Sequence, residues 1–100
     1  MTNMSYCCYI LYSKSINRYY VGYTSDIDER IKLHNSGSFG KKSYTHCAYD
    51  WELFLKIPCD TIEQAMFIES KVKMMKSRKY IENLRKYPEI TDKILIEYYK

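Results

Sequence analysis

Five side chains in this sequence add up to a recognisable chemistry: Tyr9, Tyr20, Arg30, His34 and Glu69. A phenol or an imidazole can serve as general base, an arginine can meet charge that develops on a phosphate, and a carboxylate can hold one divalent cation. Each residue also has an ordinary structural explanation. Tyrosine is a good strand former, and aromatic cross-strand pairs stabilise many sheets. Arg30 can snorkel at a helix edge while His34 bonds a backbone carbonyl, and Glu69 can pair with Arg30 or with a lysine of its own helix. The chemical reading therefore depends on elements that bring the five together.

The first of those elements is a hairpin. Tyr6 to Tyr12 and Tyr19 to Gly22 are rich in aromatic and β-branched residues, and the polar stretch from Ser13 to Arg18 between them is short enough for a turn. With an even-membered turn that sets Tyr12 opposite Asn17, Tyr9 lies directly across from Tyr20 on one sheet face. Gly22 follows on the same face, and its missing side chain leaves room for another backbone or a ligand. A helix is expected from Ile27 to Asn35, capped by Ser25 with Asp28 or by Asp26 with Glu29, and ended at Asn35-Ser36-Gly37. Ile27 and Ile31 mark its buried stripe. Arg30 and His34 stand within about 60° of Ile27 and four residues from each other, so they face the protein as neighbours.

Ser38 to Tyr49 reads as a basic, aromatic loop containing Lys41 and Lys42, long enough to carry function. Trp51 to Ile57 is a third strand closed by Pro58. A long helix opens at Asp60-Thr61 with a capping signature, and its apolar stripe is expected at Ile62, Ala65, Met66 and Val72. Glu69 falls inside that stripe, about 20° from Ile62, where a carboxylate is unfavourable unless paired, hydrogen-bonded or bound to a metal. Ser77 to Lys86 continues this helix or begins a second one, Pro88 stops it, and Thr91 to Tyr99 forms a last short helix.

At 100 residues with 46% apolar content, the chain is sized and composed for one domain, spanning 1–100, and is too apolar for a disordered segment. It has neither an apolar run fit to cross a bilayer nor the pattern of a signal peptide, which makes a cytoplasmic location the expectation. Cys7, Cys8, Cys47 and Cys59 lack zinc-site spacing and read as small core residues without disulfides. The net charge of +4 is concentrated: from Lys71 to Lys86 seven cations stand against Glu82 alone. Such a stripe, with Lys73, Lys76, Arg78 and Lys79 at its centre, is either a solvated helix face or a surface for a polyanion, nucleic acid being the usual one.

Taken in order, these residues resemble the GIY-YIG nuclease family. The two tripeptides that name the family are matched by Cys7-Cys8-Tyr9 and Tyr20-Val21-Gly22, with ten residues between the two tyrosines. The resemblance continues through Thr24-Ser25-Asp26, Arg30, His34-Asn35-Ser36-Gly37, Trp51-Glu52-Leu53, Glu69 and Lys76-Ser77-Arg78-Lys79. It is closest to the small stand-alone bacterial members that consist of the catalytic module alone. Cys7 stands where the family name has its first glycine, and Asn83 is the candidate for an asparagine that follows the metal-binding glutamate.

The resemblance implies an α+β fold with a central three-stranded antiparallel β-sheet flanked by α-helices. It implies phosphodiester hydrolysis with one Mg2+ or Mn2+ ion. Tyr9 would then activate or orient the attacking water, with His34 as its partner or as the alternative base. Tyr20 would hold the water or the scissile phosphate, Arg30 would balance phosphate charge, and Glu69 would bind the metal. An unperturbed tyrosine is mostly protonated at neutral pH, so Tyr9 as a base needs help from Arg30 or His34. Three functions follow for comparison. The first is a metal-dependent endonuclease acting on DNA, including branched or damaged DNA in repair. The second is a non-catalytic nucleic-acid-binding module whose sheet tyrosines stack bases, and the third is a protein-interaction domain. With no appended recognition domain, tight sequence selectivity is not expected from these 100 residues; a homodimer could supply it, and activity could depend on a partner protein.

Overall fold

The computed structural model describes residues 5–36 and 48–99. Its elements run β1 (Tyr6–Ser13), β2 (Arg18–Thr24), α1 (Ile27–Ser36), β3 (Trp51–Cys59), α2 (Ile62–Met75), α3 (Arg78–Lys86) and α4 (Pro88–Tyr98). The three strands form one antiparallel sheet in the order β2-β1-β3, the α+β arrangement expected from the sequence.

β1 is the central strand, and both its faces are covered. Cys8 and Ile10 point into a core built with Val21, Ile57 and the buried faces of α2, α3 and α4 (Ala65, Ile68, Val72, Leu84, Ile94). Cys7, Tyr9 and Leu11, alternating to the other face, pack with Ala48 and Trp51 and against Ile27 and Ile31 of α1. This explains why β1 reads as an almost unbroken apolar run. Cys7, Cys8 and Cys59 are buried free thiols.

The hairpin register differs from the expected one. Ser13 pairs with Arg18 and Tyr12 with Tyr19, so Tyr9 lies opposite Gly22 and Leu11 opposite Tyr20. The turn still holds four residues, but they are Lys14 to Asn17. Asn17 takes the left-handed conformation (φ 53°), which asparagine tolerates better than a β-branched Ile16 would. Its side chain accepts from the Tyr12 hydroxyl at 2.6 Å, and Asp50 ties down Ser13 and the Ser15 backbone on the far side of the turn. The slip is two in register, so face parity is kept and Tyr9 and Tyr20 remain on one face as a diagonal pair.

Other boundaries also move. β3 runs through Pro58 to Cys59, because an edge strand can carry a residue without an N–H. The register shifts between Ile10 and Leu11, leaving Phe54 as the extra residue of a bulge in β3. On α2, Ile62 and Met66 are exposed, at 37% and 44%, and the buried stripe is Gln64, Ala65, Ile68 and Val72. Lys76, with φ 47°, ends that helix, and Ser77 caps a separate α3 by accepting from the Tyr80 N–H. Pro88 opens α4 at its first turn, where the missing N–H has no helical partner to lose.

Candidate active site

Tyr9, Tyr20, Gly22, Tyr23, Arg30 and Glu69 line one concavity of about 200 Å³. Four of the five residues singled out from the sequence therefore meet at one place, and the fifth, His34, stands directly behind Tyr9. The pocket straddles the outer edge of β2. Tyr20 and Gly22 belong to the sheet face covered by α1, while Tyr23 alternates to the face covered by α2, which carries Glu69.

Gly22 makes the arrangement possible. A Cβ built at this position would lie 2.7 Å from the Tyr9 hydroxyl oxygen, 2.8 Å from its Cζ and 3.1 Å from Cε2 of Tyr20. The space left by the missing side chain is filled from within, by the Tyr9 phenol, which crosses over Gly22 toward the pocket.

Behind the phenol, Tyr9 Oη lies 3.0 Å from Nε2 of His34. Both residues are 1% exposed. The rings of Tyr20 and His34 are 4.6 Å apart between centroids, and Tyr9 sits 6.2 Å from Tyr20 and 6.0 Å from His34. Burial, reinforced by the Arg30 guanidinium, lowers the His34 pKa to about 4. Burial also pushes the Tyr9 phenol well above its ordinary range, with Tyr20 adding to the effect and Arg30 opposing it. The expectation that neighbouring cations would depress Tyr9 is thus reversed, because desolvation outweighs the Arg30 charge. At neutral pH the pair is a protonated phenol and a neutral imidazole, and the Nδ1–H tautomer lets the hydroxyl donate to Nε2.

α1 is held in place from both ends. Asp26 caps it by accepting from the Glu29 N–H at 3.1 Å. At the other end the Asn35 amide grips β3 twice, donating to the Trp51 carbonyl at 2.9 Å and accepting from the Trp51 N–H at 2.7 Å. A side-chain amide thereby imitates one rung of a sheet ladder, one residue from His34.

Glu69 borders the buried stripe of α2. Its side chain is 18% exposed and lies 3.3 Å from Lys73 Nζ, one helical turn on. Among the described residues, no three carboxylate, imidazole or thiol groups cluster as a closed metal cage. One carboxylate on an open concavity does suit a hard dication that keeps its waters and takes phosphate oxygens, as Mg2+ does. Asn83 does not line this pocket; it lies on α3, where its carbonyl accepts from the Tyr87 N–H.

A larger groove, about 860 Å³, runs beside β2 and the α2–α3 junction. Arg18, Lys73, Lys76 and Arg78 line it without a carboxylate among its lining residues. Three of the cations picked from the sequence are therefore on one surface. Lys79 does not line the groove, and Lys41 and Lys42 lie outside the described residues. Arg78 has a second duty, donating to the Asn17 carbonyl at 2.7 Å and Oδ1 at 2.8 Å while stacking on Tyr19. Elsewhere in the basic stripe, Lys71 pairs with Glu97 and Arg85 stacks on Phe54.

Tyr23 and Arg18 were not anticipated. Tyr23 alternates away from the two named tyrosines, and only the arrival of α2 turns its face into a pocket wall. Arg18 is a lone cation at a strand start, remote in sequence from the basic stripe.

Residues 5–83 match the GIY-YIG family, described as the GIY-YIG catalytic domain. The UPF0213 protein BH0048 of Halalkalibacterium halodurans is 38% identical over 76 residues, covering 76% of this chain and 78% of that protein. The solution NMR structure of the UPF0213 protein BH0048 from Bacillus halodurans aligns at a TM-score of 0.49 and 36% identity, covering 81% of this chain and 82% of that one.

Proposed function

This chain belongs to the GIY-YIG family of nucleases, and we propose that it is an endonuclease that hydrolyses phosphodiester bonds in DNA with one Mg2+ or Mn2+ ion. The observation that carries this reading is the buried, neutral His34 bonded at 3.0 Å to a Tyr9 phenol that opens onto a pocket shared with Arg30 and Glu69.

The residues divide the work as follows. A water in the pocket attacks phosphorus; Tyr9 Oη takes its proton while passing its own to Nε2 of His34, an imidazole that burial keeps neutral. No tyrosinate has to exist beforehand, so the raised Tyr9 pKa and its part in the reaction are compatible. Tyr20 orients the water or the phosphate from the same sheet face. Arg30, half-buried at the pocket wall, balances charge that grows on the phosphate oxygens, where exclusion of water strengthens its effect. Glu69 would hold the metal ion, which when bound stabilises the departing oxygen. Arg18, Lys73, Lys76 and Arg78 receive the flanking phosphates.

A cytoplasmic location and repair-related, branched substrates go with this reading, as does a homodimer or partner protein that adds selectivity. A non-catalytic binding module is supported by the basic groove alone. The test is cleavage of labelled duplex, flapped and branched DNA, with RNA of equal length, in Mg2+ or Mn2+. The expected result is that wild type cuts DNA, while folded Tyr9→Phe and Glu69→Gln bind it without cutting. Salt-dependent binding by a wild type that cuts nothing would replace the nuclease by the binding module.

A further inference from the structure

Lys73 links the two concavities. Its Nζ lies 3.3 Å from Glu69 Oε2, on the wall of the smaller pocket, and its side chain lines the basic groove next door. The Lys73 side chain is 52% exposed against 18% for Glu69, so Lys73 is the less tightly packed partner of the pair. A lysine carries its charge on a flexible four-carbon stem and can change partners without moving its helix. A pair whose cation is this open to water is screened and weakly held on that side. With the groove empty, Arg18, Lys76 and Arg78 repel the Lys73 ammonium toward Glu69; a phosphate in the groove reverses that preference.

We propose that Lys73 is a place-holder cation that couples nucleic-acid loading to metal binding. In the free protein its ammonium sits on Glu69 and disfavours a divalent ion there. When a DNA phosphate enters the groove, Lys73 swings to it and leaves the carboxylate to the metal. Metal and DNA then bind cooperatively, each raising the affinity for the other by the same factor. This inference rests on the nuclease reading in one respect, that Glu69 is the metal ligand. An ammonium a few ångströms from a dication at the protein surface opposes binding by roughly tenfold.

The test measures Mn2+ binding to the free protein, without DNA, by the electron paramagnetic resonance of unbound Mn2+. Lys73→Met is expected to bind Mn2+ about tenfold more tightly than wild type. Lys93→Met, on exposed α4 surface, should leave the affinity within about twofold, which excludes a general charge effect. Adding Glu69→Gln to Lys73→Met should abolish the gain. In parallel, fluorescence anisotropy on Tyr9→Phe protein, at constant ionic strength, should show Mn2+ tightening DNA binding about tenfold, and much less once Lys73→Met is added. Equal Mn2+ affinity in wild type and Lys73→Met, at a site that Glu69→Gln removes, would overturn the gate and leave the nuclease reading standing. Failure of Lys73→Met to bind Mn2+, or binding indifferent to Glu69→Gln, would overturn both.

Discussion

Replacing Gly22 by alanine is the sharpest probe of this site, since it adds a methyl group where the Tyr9 phenol already lies. The nearest atoms would be at 2.7 and 2.8 Å, against ordinary contacts of about 3.5 Å or more, so Tyr9 must retreat by roughly 0.7 Å. It has little room to do so, being 1% exposed between Tyr20, His34 and the sheet. Overpacking of this kind destabilises by about 1–3 kcal/mol. Because Gly22 lies in extended β2 backbone, alanine returns about 0.4–1 kcal/mol through the unfolded chain. The net loss is thus on the order of 1–2 kcal/mol, read as a lowered urea midpoint at unchanged slope. A displacement of that size cannot leave the 3.0 Å Tyr9–His34 bond at its present length and angle. Cleavage should fall about a hundredfold, and the His34 Nε2 resonance should move toward that of an imidazole without a donor. In a Tyr9→Phe background the closest clash is gone, so the stability penalty of Gly22→Ala should shrink, a coupling that a double-mutant cycle reads directly. Gly22→Ala protein with wild-type midpoint, cleavage and His34 resonance would refute the close approach.

Further outcomes are expected at His34, at Asn35 and among the groove cations. His34 is held near 4 in the folded protein against an ordinary 6.5, so between these values the unfolded chain takes a proton that the native one refuses. Stability present above pH 6.5 is therefore lost as the pH falls toward 4, by roughly 3 kcal/mol at most, a slope that His34→Gln should remove in urea titrations at pH 7 and 4.5. By the same reasoning, the acid limb of cleavage should lie nearer pH 4–5 than 6.5 (about the folded pKa). Asn35→Ala leaves two Trp51 backbone groups without their side-chain partner and should cost about 2–3 kcal/mol in chemical denaturation; Asn35→Asp, which keeps only the acceptor, should lose less. Among the groove cations, Lys76→Ala should leave stability within about 0.5 kcal/mol and reduce the salt slope of DNA binding by about 1. Arg78→Ala should instead lower stability by about 1 kcal/mol, since it releases the Asn17 turn and the Tyr19 stack.

By local rules the sequence by itself determined the central hairpin and singled out Tyr9, Tyr20, Gly22, Arg30 and Glu69 among the pocket residues, while the α+β class was implied by the resemblance to the GIY-YIG family. Alternation placed Tyr9 and Tyr20 on one face for any even-membered turn, and helical spacing turned Arg30 and His34 inward together. The capping signatures of α1 and α2 were legible for the same reason: a cap and its N–H partner are three residues apart. Only the tertiary structure decided the rest. The hairpin register depended on Asn17, whose turn is held by Tyr12 and by Arg78 from α3, far along the chain. The α2 stripe could not be placed from hydrophobicity alone, since Ile62 and Met66 are apolar yet face outward, and burial reaches Gln64 instead. The charge states of Tyr9 and His34 were out of reach too. A charged neighbour can be counted in a sequence, but the desolvation that outweighs it exists only once α1 and β1 close over both rings. The union of Glu69 with the tyrosines is likewise a product of packing, because it requires α2 to reach the outer edge of β2 from the opposite face of the sheet.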